Sequence, residues 1–177
     1  QNIENFGGLT MIISAFQNCY LGTNKTNEYF DNLVNSKKNE YSRYTYFYLS
    51  NLAKNQNYID LKKIASNVDT LNTGLITLQA TEWIKDSNFK KFTNHFSCKS
   101  ENDILSEFFY LISNLYSSQG KYKKSNFYLN ISNYLNPKFY FNLSLLAENY
   151  FVNKKYGLAE KIYKKFDKKD IIYQWYK

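Results

Sequence analysis

The chain has 177 residues but only one proline, six glycines, one histidine and one arginine. So few turn-forming residues cannot furnish the hairpins of a β-sandwich or barrel, which leaves helices as the expected elements. The two cysteines, Cys19 and Cys98, lie far apart and belong to no CxxC or Cys/His spacing. They are expected to be small buried apolar residues, neither metal ligands nor a disulfide. The longest apolar run, around Leu9 to Ile13, is too short for a membrane span, so none is expected. No GxGxxG, P-loop, GxSxG or HExxH pattern occurs. His95 lacks partners at catalytic or metal-binding spacing, and the expectation is no catalysis, no metal and no cofactor. The chain starts at Gln1 without a signal-peptide pattern. It therefore reads as a piece of a longer protein, with the compartment open between cytoplasm and periplasm.

What is abundant is aromatic and lysine-rich. Hydrophobic residues make up 44%, with 18 Tyr and 14 Phe, so disorder along the whole chain is excluded. The net charge is +8, nearly all of it from lysine, since Arg43 is the only arginine. Lysine, asparagine, isoleucine, tyrosine and phenylalanine are enriched together, as in an A/T-rich genome, and solvated helix faces account for the charge. Nucleic acid is a poor partner, because base readout leans on bidentate arginine contacts. The densest basic run includes Lys161, Lys164, Lys165 and Lys168, placed on one exposed face of the last full helix.

Hydrophobic periodicity defines helices in pairs. Ile104, Leu105, Phe108, Phe109, Leu111, Ile112, Leu115 and Tyr116 form one stripe, with Ser100 and Asp103 at capping-box spacing and Gly120 at its end. Tyr122, Phe127, Tyr128, Ile131 and Leu135 form the next. Asn136 and Pro137 are read as the N-cap and first residue of a third helix bearing Phe141, Leu143, Leu146 and Tyr150. Tyr156, Ala159, Ile162 and Phe166 mark a fourth. Asp170 is placed to cap one more helix.

The pairs repeat. Phe109, Ile112, Ser113, Tyr116, Tyr122, Ser125 and Leu129, moved forward by 34, become Leu143, Leu146, Ala147, Tyr150, Tyr156, Ala159 and Tyr163. Large residues mostly meet large ones, and small meet small. These spacings resemble the tetratricopeptide repeat, a 34-residue helix–turn–helix unit. The resemblance implies an all-α solenoid, a right-handed superhelix of about five pairs over residues 1–177, the last truncated. Residues 106–139 and 140–171 match best, 73–104 is a degenerate copy, 8–36 and 42–71 are divergent pairs, and 172–177 begin a further helix. Trp175 takes the early aromatic position of that helix.

What the resemblance implies for function is a non-catalytic scaffold that holds a partner peptide or helix in a concave groove of first helices. Its register assigns the groove to Arg43, Tyr46, Ser50, Thr77, Thr81, Glu107, Tyr110, Asn114, Ser144 and Glu148. The rival readings are a spacer or accessory domain of a larger protein, and a basic nucleic-acid-binding repeat supported by charge alone.

Overall fold

The computed structural model describes residues 7–36 and 41–177. Among the described residues the secondary structure is helical, without strands. The α-helices are α1 (Gly7–Leu21), α2 (Thr26–Val34), α3 (Ser42–Lys54), α4 (Tyr58–Ser66), α5 (Leu75–Lys85), α6 (Lys90–His95), α7 (Glu101–Ser118), α8 (Tyr122–Leu135), α9 (Leu143–Val152), α10 (Tyr156–Tyr163) and α11 (Ile171–Tyr176). None of these helices is long and apolar enough to cross a membrane. The chain divides into two compact units, Gln1–Ser100 and Glu101–Lys177. The division falls at the start of α7, where no glycine- or proline-rich linker marks it in the sequence.

Five tight turns share one backbone geometry. Gly22, Gln56, Ser87, Gly120 and Lys154 take φ of 71°, 56°, 54°, 70° and 59°, and they follow one another at intervals of 34, 31, 33 and 34 residues. At each, the left-handed residue donates its N–H to the carbonyl three back, and its successor donates to the carbonyl five back. Gly120 bonds Ser117 at 2.9 Å and Lys121 bonds Tyr116 at 2.9 Å; Lys154 bonds Phe151 at 2.9 Å and Lys155 bonds Tyr150 at 2.8 Å. The same two bonds recur as Gln56 to Ala53 with Asn57 to Leu52, and as Ser87 to Ile84 with Asn88 to Trp83. This is the Schellman closure, which satisfies the last carbonyls of a helix and reverses the chain. The recurrence extends through all three upstream pairs, including those whose side chains follow the repeat least.

In the first unit α3 is the central helix, packed against α2, α4, α5 and α6. Its residues from Tyr46 to Ala53 are all buried. The core is aromatic: Phe16 meets Phe30, Tyr44, Phe47 and Phe96 at centroid distances of 6.0, 6.2, 5.2 and 5.8 Å. The Phe30, Tyr44 and Phe47 contacts are edge-to-face, the arrangement that ring quadrupoles favour. Tyr46, Trp83 and Phe92 form a second cluster, with Trp83 and Phe92 perpendicular at 5.4 Å. Each fully buried Phe or Leu adds roughly 1.5–3 kcal/mol.

Here the structure corrects the reading of the cysteines. Cys19 of α1 and Cys98, just past α6, form a disulfide with Cα atoms 5.8 Å apart. Both are buried, as expected of apolar residues, but burial brings them together. Phe16 against Phe96 and the Lys99 ammonium donating to the Tyr20 carbonyl at 2.6 Å reinforce the same junction. The first helix pair thus touches the end of the third. A one-dimensional stack, in which each repeat meets only its neighbours, does not describe this unit.

In the second unit, α7 pairs with α8 and α9 with α10, and α8 packs on α9. Small residues let the helices approach, and the serines among them bond across the gap. Ser113 Oγ donates to the Ser125 carbonyl at 2.9 Å, and Ser106 Oγ to the Ser132 carbonyl at 2.8 Å. Asn149 Nδ2 adds a bond to Ser125 Oγ at 2.7 Å, and Asn142 Nδ2 one to Ser132 Oγ at 2.9 Å. The six residues form two buried clusters, one heptad apart on each of three segments. Buried polar groups so paired cost little, whereas deleting one partner strands the other at about 1–3 kcal/mol.

Two helix boundaries differ from expectation. Pro137 does not open α9: Asn136 Oδ1 accepts from the Phe139 N–H at 3.2 Å, closing a turn, and a 3-10 turn at Tyr140–Asn142 precedes α9. Burial of Phe139 and Phe141, with Asn142 bonded to Ser132, holds this segment against α8 instead. Likewise α10 ends at Tyr163, so Lys164, Lys165 and Lys168 lie beyond it, exposed but not on one helix face. Lys164 pairs with Glu160 at 2.7 Å on the surface.

The left-handed turns carry non-glycine residues at three of five positions, and an L side chain there costs about 1 kcal/mol. Gln56→Gly, Ser87→Gly and Lys154→Gly should each raise unfolding free energy in urea by about 0.5–1 kcal/mol, and Gly120→Ala should lower it by about 1 kcal/mol. Opposite signs at these positions would show that the turn geometry is misassigned. The disulfide joins residues 79 apart, so Cys98→Ala should cost about 3–4 kcal/mol of stability. The check is the urea midpoint of oxidised wild type against the variant, and equal midpoints would exclude the crosslink.

Candidate functional site

The residues assigned to a groove divide into two sets. In the first unit Tyr46, Ser50, Thr77 and Thr81 are buried, and Glu107 of the second unit is buried too. Tyr46 is covered by Trp83 and Phe92, because α5 and α6 close over the face of α3 that the repeat register leaves open. Thr77 Oγ1 donates to the Ser42 carbonyl at 2.8 Å, fastening α5 to the start of α3. Thr81 Oγ1 bonds its own helix at the Leu78 carbonyl, 2.7 Å away. Arg43 is half-buried, its guanidinium 5.7 Å from the centre of the Phe47 ring, a cation–π position. These residues build the unit's interior and offer little surface to a partner.

The second unit treats its assigned residues differently. Tyr110 and Ser144 are half-buried, and Asn114 and Glu148 are exposed. Ser144 Oγ donates to the Phe141 carbonyl at 2.8 Å, securing the first turn of α9. The Tyr176 hydroxyl of α11 donates to Glu148 Oε1 on α9, and its ring stacks on Tyr163 of α10 at 4.2 Å. Burial pushes the Tyr176 pKa up strongly; the hydrogen bond to Glu148 and the charges of Glu148, Tyr163 and Tyr110 add to the rise. Tyr110 on α7, Glu148 on α9 and Tyr176 on α11 therefore sit close enough to sense one another. Glu148 is exposed, and Tyr110 and Tyr176 are half-buried.

Tyr176 is the residue that sequence reasoning missed. The offset of 34 favours Trp175 as the inward aromatic of this helix, but Trp175 is 71% exposed. The cause is that Asp170, the residue just before α11, is buried and its carboxylate accepts from the Tyr140 hydroxyl, fixing the helix's rotation. A buried partner for Asp170 has no marker in the sequence. Among the described residues no group of three His, Cys, Asp or Glu is placed to hold a metal ion. His95 stacks on Trp83 at 5.4 Å, a packing role.

Compared with protein-family models, curated proteins and solved structures, the chain matches none.

The tyrosines yield a pH prediction. Burial pushes Tyr46 up strongly, against a smaller opposing effect of Arg43, and burial with the charges of Asp31 and Asp60 pushes Tyr48 up to about 12. A phenol with a raised folded pKa keeps its contribution below the unfolded value near 10 and loses it as pH climbs through the folded one. Stability should therefore hold up to about pH 10 and fall progressively from there through pH 12. Phenolate absorbance should show late-titrating tyrosines, fewer of them in Tyr48→Phe. Simultaneous titration of every tyrosine in the folded protein would refute the assignment.

Proposed function

We propose that the chain is a non-catalytic protein-binding scaffold, and that the face built by α7, α9 and α11 holds a peptide or helix of a partner protein. The observation that carries this reading is the convergence of Tyr110, Glu148 and Tyr176 from three successive first helices onto one accessible face. The recurrent hairpin turns and the resemblance of residues 106–171 to tetratricopeptide repeats support it. Half-buried tyrosines suit such a surface because they give large contact area with little rotamer entropy to lose, and a polar tip for hydrogen bonding. Glu148 selects against anionic ligands and favours a partner that brings N–H donors, which also argues against nucleic acid.

The test is affinity capture from lysate of the source organism, comparing the wild-type chain with a variant carrying Tyr110→Ala, Glu148→Ala and Tyr176→Phe. A second bait carries Arg43→Ala alone. The scaffold reading expects a discrete protein retained by wild type and by Arg43→Ala, and lost by the triple variant while its helical circular dichroism is unchanged. Identical retention by wild type and the folded triple variant would sink the assignment to this face. A peptide from the captured protein should then bind the wild-type chain about tenfold or more tightly than the triple variant, as removal of aromatic anchors ordinarily costs.

A further inference from the structure

The disulfide between Cys19 and Cys98 borders a cavity of about 240 Å³ within the first unit. Two cations, Lys54 and Lys99, line the same cavity, and no carboxylate does. Each ammonium is tied to the residue beside a cysteine. Lys54 Nζ donates to Ser97 Oγ at 2.7 Å, next to Cys98, and Lys99 Nζ donates to the Tyr20 carbonyl at 2.6 Å, next to Cys19. Both acceptors are neutral, so the bonds fix the ammonium groups near the sulfurs without cancelling their charge.

Asn51 is the second, independent observation. It is buried, it lines the cavity, and its Oδ1 lies 3.3 Å from Cys19 Sγ. While the disulfide is closed that sulfur has no hydrogen to give, and the oxygen faces it without a bond from it. A free Cys19 thiol would donate there. Asn55 Nδ2 at 3.3 Å from the same oxygen, and the bond from Asn51 Nδ2 to Asn27 Oδ1 at 3.2 Å, hold the carboxamide in this orientation. Cys98 is the more exposed of the two cysteines, at 6% against 2%. Thiol–disulfide exchange needs a thiolate to reach one sulfur and the other to leave. Positive charge at the mouth favours the approach of an anion, and the Asn51 oxygen receives the sulfur that is released.

We infer that this cavity receives a small anionic thiol, which exchanges with the disulfide at Cys98. The thiolate attacks Cys98 Sγ and forms a new sulfur–sulfur bond there. The bond to Cys19 breaks, and Cys19 Sγ leaves with the electron pair. Water protonates it, and the resulting S–H donates to Asn51 Oδ1. One disulfide replaces another, so the step needs no further oxidant or reductant. Attack by the Cys19 thiolate on the same Cys98 sulfur reverses it, expelling the guest and closing the ring again. The site lies within the first unit and stands or falls independently of the face of α7, α9 and α11.

The test is kinetic, on the whole oxidised chain, with glutathione as the anionic thiol and cysteamine as the cationic one. Acid quenching and peptide mass spectrometry follow the mixed disulfide. Each rate per thiolate is divided by that of the same thiol on the chain unfolded in urea, which removes differences in intrinsic nucleophilicity. On that scale glutathione should react about tenfold faster than cysteamine at low ionic strength, in proportion to its concentration, and be found on Cys98. Added salt should narrow the ratio. Lys54→Gln combined with Lys99→Gln should bring it to about one. Lys62→Gln combined with Lys63→Gln, an equal charge change outside the lining, should leave it unaltered. Melting by circular dichroism checks the fold of each variant, and the salt dependence of the wild type needs no variant at all. Equal rates for the two thiols on the wild type overturn the proposal, as does a preference that neither salt nor the Lys54 and Lys99 substitutions reduce. So does a rate that does not rise with thiol concentration, which would mean that the disulfide is reached only through unfolding. Glutathione found on Cys19 alone overturns it as well.

Discussion

Every helix pair depends on one closure: a residue held left-handed, with the next residue's N–H reaching five positions back. Without it the helix ends would leave carbonyls unpaired, and the second helix could not return along the first. The geometry is retained at Gln56, Ser87 and Lys154, where glycine would be easier. What holds those residues there is the packing of the helices on either side. Hairpin geometry is thus more constant along this chain than side-chain chemistry.

On that common backbone the two units solve the burial problem in opposite ways. The first fills space with rings, edge against face, around a central helix that carries Tyr46, Phe47 and Leu49 inward. The second brings helices close over serines and locks them with Asn142 and Asn149. Ring packing tolerates irregular spacing, and α4 and α6 are short. A hydrogen-bonded seam demands register, since a shift by one residue would separate Ser113 from Ser125 and Ser106 from Ser132 together. The closest adherence to the 34-residue pattern occurs where that seam runs.

Much of this was legible beforehand. The stripes around Phe109 and Tyr156 become helices, and Gly120 ends one as expected. Spacing also identifies Ser113, Ser125, Ala147 and Ala159 as close-approach positions, and all four are buried. Illegible were features that arise from tertiary closure. Pairing of Cys19 with Cys98 requires the first pair to meet the end of the third, which periodicity within single helices does not encode. Burial of Tyr46 and Thr77 follows from α5 and α6 covering α3, whereas a register borrowed from a regular stack leaves that face open. Pro137 carries a real signal for chain redirection, but the buried Phe139 and Phe141 turn it into a loop anchor, not a helix start.

The crosslink between Cys19 and Cys98 has a mechanical consequence. The chain from Cys19 to Cys98 forms a closed covalent ring, so tension applied on either side of it passes through the sulfur–sulfur bond and bypasses the helices between. Under oxidising conditions roughly 270 Å of contour is withheld from extension, at about 3.4 Å per residue over the 79 that separate the cysteines. The rings of Phe30 and Phe47, which lie within the loop, stay unloaded until a reductant opens it. Pulled as a tether, the protein would have two lengths, set by the state of one bond.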